Sequence, residues 1–287
     1  MAKPQIDFGT YLPRIPTKVA PLPTVSTIPI LHYKRSANDS WNLLLYVERH
    51  LGAANVYPAP YTRHMNSLRV MVFLSLVEAF ERFLKETAAI CIDEVGGLVL
   101  DDRLDVFTIR GNTIASHFAG GSLGKCLCES LTWCDCDDTN KRFRRILKEP
   151  FEQAGKFYVF PRQNQQPATL IGRYKLMSIL WQLRHSIVHN RGVITDSDAR
   201  KLRLLCKRRV DGAKVFTPDK PDVWYAKEFL DQLAQGINRE VGQRLADLLT
   251  TLHGHDSSLF DAGDKAQQLA DAFRQRLTVS AQTRAPS

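Results

Sequence analysis

Apolar residues recur every three or four positions along most of the chain, and strict alternation is nearly absent, so the pattern predicts helices rather than strands. From Asn38, "SANDSWNLLLYVERHL" sets Trp41, Leu44, Leu45 and Leu51 at helical spacing behind Asn38 or Asp39 as a cap. After a proline-rich loop, "VYPAPYTRH", a long helix is predicted from about Met65 to Val95 on Leu68, Val72, Leu76, Phe80, Phe83 and Leu84. A short helix follows at about 139–154, with Pro150 ending or bending it. The next, from about Leu170 to Asn190, stops at Gly192. "TDSDARKLRLLCKRR" starts another with Asp196 or Ser197 as cap, and two more are predicted at about 222–253 and 257–278. "AKVFTP" is the best strand candidate.

Two stretches break this pattern. Pro4, Pro13, Pro16, Pro21, Pro23 and Pro29 exclude a helix near the start, so residues 1–35 are expected to form an extended arm. Residues 96–169 are rich in glycine, cysteine and aspartate and read as an insertion or irregular packing between core helices. The expected architecture is all-α: the arm, a helical domain over 36–255 with that insertion, and a C-terminal helix and tail over 256–287.

Composition narrows the class. With 287 residues, 44% apolar and 24% charged, the chain has the make-up of a globular protein with a sizeable core. Its most apolar stretch, "LRVMVFLSLVEAFERFL", carries Arg69, Ser75, Glu78, Glu81 and Arg82, too many polar groups for a bilayer span. The N-terminal residues lack the basic-then-apolar layout of a signal peptide, so a cytoplasmic protein with its six cysteines as thiols is expected, with no membrane partner. The net charge of +9 favours polyanionic partners such as nucleic acid. Two basic runs suit phosphate contact: Lys141, Arg142, Arg144, Arg145 and Lys148 in one, and Arg200, Lys201, Arg203, Lys207, Arg208 and Arg209 in the other. Each run is also compatible with a solvated helix face.

The segment "LWQLRHSIVHNRG" is the most unusual. Leu176, Ile179, Leu180, Leu183 and Ile187 make an apolar stripe, while Ser178, Gln182, His185 and His189 fall on another face. Arg184 and His189 are five residues apart, roughly 140° around an ideal helix. Bringing them together takes the long reach of the arginine with the looser geometry of the last turn, or a second copy of the helix. Arginine with histidine suits phosphodiester cleavage in RNA: the imidazole handles the proton of the ribose 2′-OH, and the guanidinium stabilises charge on phosphate. The nucleophile belongs to the substrate, so no cofactor is required.

Plainer roles exist. Arg184 would also be satisfied by pairing with Glu78 or Glu81, and His185 beside it as a solvent-facing bystander. His185 and His189 have the i, i+4 spacing of zinc ligands, but "HSIVH" lacks the glutamate of H-E-x-x-H and no third ligand follows. Cys126, Cys128, Cys134 and Cys136 form C-x-C-x5-C-x-C, which allows four thiolates around zinc or a loop of free thiols.

The run Arg184-His185-Ser186-Ile187-Val188-His189-Asn190, with Gly192 behind it, resembles the R-x4-H signature of HEPN domains. "LSLVEAFERFLKE" (Leu74 to Glu86) resembles the helix that packs beside the motif in those domains. The resemblance covers about 38–95 and 170–250 and implies a dimerising helical bundle with metal-independent endoribonuclease activity. Products would carry 2′,3′-cyclic phosphate and 5′-OH ends, and the setting would be a prokaryotic toxin or antiviral defence protein, with an antitoxin or sensor as a further partner. Arg184 would then contact the scissile phosphate and His189 would be the acid–base group. Asn190 would support the histidine or the phosphate, and Glu78 and Glu81 would orient Arg184. Some HEPN domains only bind RNA or regulate, which is the alternative expectation.

Overall fold

The computed structural model describes residues 28–51, 58–95, 102–107, 122–149, 156–162, 171–206 and 209–255. They are mostly helical. In chain order they give α1 (Pro29–Leu51), α2 (Pro58–Val95), a single 3₁₀ turn (Asp102–Leu104), α3 (Leu123–Glu129) and α4 (Cys136–Ile146). Then come α5 (Ile171–Asn190), β1 (Val193–Ile194), α6 (Asp196–Cys206), β2 (Lys214–Val215) and α7 (Lys220–His255). Among the described residues no helix is long and apolar enough to cross a membrane.

The 38-residue α2 is the centre of the bundle and packs against α1, α3, α4, α5 and α7. Val72, Leu76, Phe80, Phe83 and Leu84 are buried as the periodicity predicts, and Leu68 packs against the core from its edge. On α1, Ile30, Tyr33, Ala37, Trp41 and Leu44 form the buried face. The Tyr33 ring meets Phe80 and Phe83 at centroid distances of 6.1 and 5.9 Å, the separations at which aromatic pairs attract. The stripe Leu230, Leu233, Ile237, Val241, Leu245 and Leu248 of α7 closes the core.

Both proline-rich boundaries lie earlier than predicted. Pro29 opens α1, so residues 29–35 are helical rather than part of an arm, and Asn38 and Asp39 are mid-helix rather than caps. Pro58 and Pro60 stand in the first turn of α2, not in a loop before Met65. Proline is accommodated there because first-turn N–H groups have no intrahelical acceptor. The arm's residues 1–27 and the predicted helix at 257–278 lie outside the described residues.

Where residues of the 96–169 stretch are described, they pack into the bundle between α2 and α5 in sequence. Cys126, Leu127, Cys128, Trp133, Cys136, Phe143 and Ile146 join the same core as α2. Glycine makes the close approach possible: a Cβ on Gly124 would lie 2.1 Å from the Ala89 carbonyl oxygen of α2. The Gly124 N–H donates to Asp93 Oδ1 at 2.7 Å, and Ser122 caps α3 while donating to Asp93 Oδ2 at 2.6 Å. The predicted helix at 139–154 is α4, which starts earlier and ends at Ile146. Asp135 caps it by accepting from the N–H groups of Asp137 and Asp138 at 2.8 and 2.9 Å. The buried Arg103 from the 3₁₀ turn donates to the carbonyls of Ile146 and Lys148 at its end.

The predicted strand shrinks to β2, paired antiparallel with β1 through Val193↔Val215 and Ile194↔Lys214. At the end of α5 the reversal uses two left-handed residues, Arg191 (φ 53°) and Gly192 (φ 82°), and the Gly192 N–H donates to the Ser186 carbonyl at 3.1 Å.

Because the Gly124 contact is with backbone, Gly124→Ala should overpack the α2–α3 seam and lower stability by about 2 kcal/mol. Urea unfolding followed by circular dichroism measures this, and a variant as stable as the parent would show the seam to be loose.

Candidate active-site cleft

The polar face of α5 opens into a cleft of about 530 Å³ between α5, α6 and the segment leading into α4. Ser178, Gln182, His185 and His189, grouped on one face by spacing alone, all line it, and so does Arg184. A single chain therefore brings Arg184 and His189 to one hollow. The roughly 140° between them is bridged by the length of the arginine and the position of His189 in the last turn. The His185 and His189 rings are in contact, with centroids 4.6 Å apart and planes tilted by 43°. His185 is solvent-facing, as expected, and lines the cleft beside His189.

Arg184 is held from α2. Its Nη2 lies 3.7 Å from Glu81 Oε2, and both side chains are largely buried. Glu81 Oε1 accepts from the Trp133 N–H at 3.0 Å and pairs with Lys85 Nζ at 3.3 Å, while Oε2 accepts from the Cys134 thiol at 3.0 Å. Burial by itself pushes the Glu81 pKa up, but the Cys134, Trp133 and Lys85 donors outweigh it and leave the carboxyl below its ordinary value. The Cys134 thiol is in turn pushed up to about 12, by burial and by the carboxylate beside it. Glu81 is therefore an anion that fixes the guanidinium. Glu78, the other residue expected to do this, is exposed and does not take the pair. Arg184 Nε is buried without a hydrogen-bond partner among the described residues, and so is the Trp181 indole nitrogen.

Asn190 Nδ2 donates to Asp198 Oδ2 at 3.0 Å. Asp198, on α6 and only 3% exposed, also accepts from Gln182 Nε2 at 2.8 Å and Ser186 Oγ at 3.0 Å. It closes a reciprocal cap with Thr195: the Asp198 N–H donates to Thr195 Oγ1 at 3.2 Å, and the Thr195 N–H approaches Asp198 Oδ2 at 3.4 Å. Thr195, not Asp196 or Ser197, caps α6. Burial raises the Asp198 pKa, but Thr195, Ser186 and the neighbouring His185 more than offset that and hold it below the ordinary value.

The apolar stripe of α5 also shifts. Met177, Trp181 and Ile187 are buried, Leu180 and Leu183 are half-buried, and Leu176 is 46% exposed. Trp181 packs edge-on to Phe160 with centroids 5.5 Å apart. Ser178 meets the Cys136 thiol at 3.5 Å.

The basic runs separate. On α6, Lys201 lines the cleft with Leu204 and Leu205, while Arg200 and Arg203 are exposed on the same helix. Arg209 pairs with Asp211 at 3.0 Å, and Lys207 and Arg208 lie outside the described residues. The other run is not a basic face. Arg142 is buried, donates to the Thr132 carbonyl at 2.6 Å and stacks 4.9 Å from the Trp133 ring centroid. Arg144 stacks on Tyr158 at 4.7 Å, Arg145 is half-buried, and only Lys141 of the proposed contacts is exposed.

The cysteines do not assemble. Cys126 and Cys128 are buried in α3, Cys134 is bonded to Glu81, and Cys136 faces Tyr174 and Ser178. Burial pushes the thiols of Cys128, Cys134 and Cys136 well up. No group of three or more His, Cys, Asp or Glu side chains among the described residues is placed to hold a metal ion.

Comparison of the chain with family models, with curated proteins and with solved structures finds no match.

Asp198 provides a pH test. Its folded pKa lies below the unfolded value of ~3.9, so its stabilisation is complete above about pH 4 and is lost as pH falls through the folded value. Asp198→Asn should cost about 2 kcal/mol at pH 7, because a charged acceptor of several donors is lost, and should flatten stability below about pH 4. Urea titrations from about pH 3 to pH 7 read both effects, and parallel curves for parent and variant would remove Asp198 from the account.

Proposed function

We propose that the chain is a metal-independent endoribonuclease of HEPN-like type, acting through Arg184 and His189. One observation carries this reading. A single cleft gathers a guanidinium paired with a buried carboxylate, its Nε without a partner among the described residues, and two touching imidazoles at a helix end. The i, i+4, i+8 residues Gln182, Ser186 and Asn190 are committed to Asp198, which leaves Arg184, His185 and His189 as the chemically available groups of the helix end. Lys201 adds positive charge beside them.

The chemistry follows from these groups. Arg184, with Lys201, holds the scissile phosphate and stabilises charge on its oxygens as the attack proceeds. His189 takes the 2′-OH proton, the O2′–P bond forms, and the P–O5′ bond breaks. The imidazole pair returns a proton to the departing 5′ oxygen, so the site ends in its starting protonation state. The products are a 2′,3′-cyclic phosphate and a 5′-OH. Exposed Arg200 and Arg203 on α6 extend the basic surface for the RNA backbone. The HEPN resemblance adds a homodimer, in which two such clefts lie side by side, and a toxin or antiviral defence setting in the cytoplasm.

His189→Ala and Arg184→Ala should each lower RNA cleavage at least about 10²-fold in buffer containing EDTA, with the far-ultraviolet circular dichroism unchanged. Arg184→Lys should not restore the rate, because an ammonium lacks the planar fork. Product ends are read by their response to phosphatase and kinase. Parental activity in His189→Ala would end the mechanism, and salt-sensitive RNA binding without cleavage by the parent would make the chain a binding module instead.

A further inference from the structure

The last turn of α5 separates two hollows. On one side is the cleft with His185 and His189. On the other, Ile187, Arg191 and Gly192 help to line a groove of about 930 Å³ between the first turns of α2 and strand β2. A groove of this size lies within the range of small-molecule sites.

Its chemistry is divided. Met71, Val215 and Phe216 provide apolar surface, with Met71 65% and Val215 59% exposed. Arg63, Arg191 and Asn66 provide polar groups, and no carboxylate among the described residues lines the groove. Arg63 and Arg191 are both exposed, and neither has an acidic partner among the described residues. Arg191 is also held left-handed at φ 53°, a conformation that glycine or asparagine adopts at lower cost.

The ligand that matches has a flat, largely apolar body with a hydrogen-bonding edge and a negative charge alongside. A nucleotide has this form, with its base against the apolar wall and its phosphate beside the guanidinium groups. A second copy of the chain matches less well, because an isologous contact would bring these uncompensated arginines against their own equivalents. Resting on the reading of the neighbouring cleft as an RNA cleavage site, we propose that this groove holds one nucleotide of single-stranded RNA adjoining the scissile phosphate. The strand passes around the end of α5, and the groove contributes to base preference.

The test uses the full chain and a short 2′-O-methyl RNA oligonucleotide, which binds but cannot be cleaved because its nucleophile is blocked. The double variant Arg63→Ser/Arg191→Ser should bind about tenfold more weakly. Its slope of log affinity against log salt should be shallower by about 0.7, the change for one lost phosphate contact on a single strand. Val215→Asp, which alters the apolar wall, should weaken binding without removing either arginine. With cleavable RNA, both variants should raise KM more than they lower kcat and should change the preferred base beside the cut.

Parental affinity and salt slope in the double variant would overturn the proposal, as would a change in oligomeric state by light scattering with oligonucleotide binding intact. The two readings fail separately. If the parent binds the oligonucleotide through Arg63 and Arg191 but cleaves no RNA, the groove stands and the nuclease reading falls. If the parent cleaves RNA and the groove variants match it in affinity, KM and base preference, the nuclease reading stands and the groove falls.

Discussion

The organisation of the molecule depends on one buried anion, the carboxylate of Glu81. A charge removed from water costs several kcal/mol unless donors replace its hydration. Here the donors come from Lys85 on α2 itself and from Trp133 and Cys134 before α4, and Arg184 on α5 adds an ion pair at 3.7 Å. Satisfying the carboxylate therefore brings three parts of the chain to one point. It ties the cysteine-rich segment into the bundle and stops a flexible guanidinium at the back of the cleft. The Cys134 thiol acts here as a hydrogen-bond donor, which requires it to keep its proton, and the elevated pKa caused by burial and by Glu81 is consistent with that role.

A second buried carboxylate, Asp198, organises the opposite flank of α5. Gln182, Ser186 and Asn190 lie four residues apart in succession and all donate to it. This explains why α5 looks too polar for a core helix. One group of its polar residues locks α6 in place, Arg184 locks to α2, and His185 and His189 remain open to solvent in the cleft. Helix position alone decides which residues fall into which group. The same division turns Asn190 toward Asp198, although it directly follows His189.

The long helices were legible because burial along α2, α5 and α7 repeats often enough to show its period. Their starts were not, since proline silences the helical pattern while being well suited to a first turn, as at Pro29 and Pro58. The packing of the cysteine-rich segment is not legible in the sequence, because its helices are short and its burial rests on a contact distant in sequence, Gly124 against Ala89. Arg142 was read as surface charge, whereas the Trp133 ring and the Thr132 carbonyl draw it inward. Within the site, the shared face of Ser178, Gln182, His185 and His189 was readable from spacing. Asp198 was readable as well, through the T-x-x-D pattern of a reciprocal cap at Thr195, a signal obscured by the adjacent Asp196 and Ser197. What spacing cannot show is which of two nearby glutamates faces Arg184, because that depends on how α2 and α5 cross.

The small sheet matters for where it is attached rather than for its size. Helix ends fray, and a histidine in a frayed turn would be poorly positioned for proton transfer, which depends on geometry before pKa. Three restraints oppose fraying here. Asn190 is bonded to Asp198, the Gly192 N–H returns to the Ser186 carbonyl, and the Gly192 carbonyl accepts from the Phe216 N–H at 2.8 Å. The two-residue pairing of β1 with β2 thus clamps the turn immediately after His189 from outside the helix. The imidazole is solvent-exposed while the backbone that carries it is fixed. The left-handed Arg191 belongs to the same clamp: the reversal that secures His189 on one side is what places a guanidinium on the other.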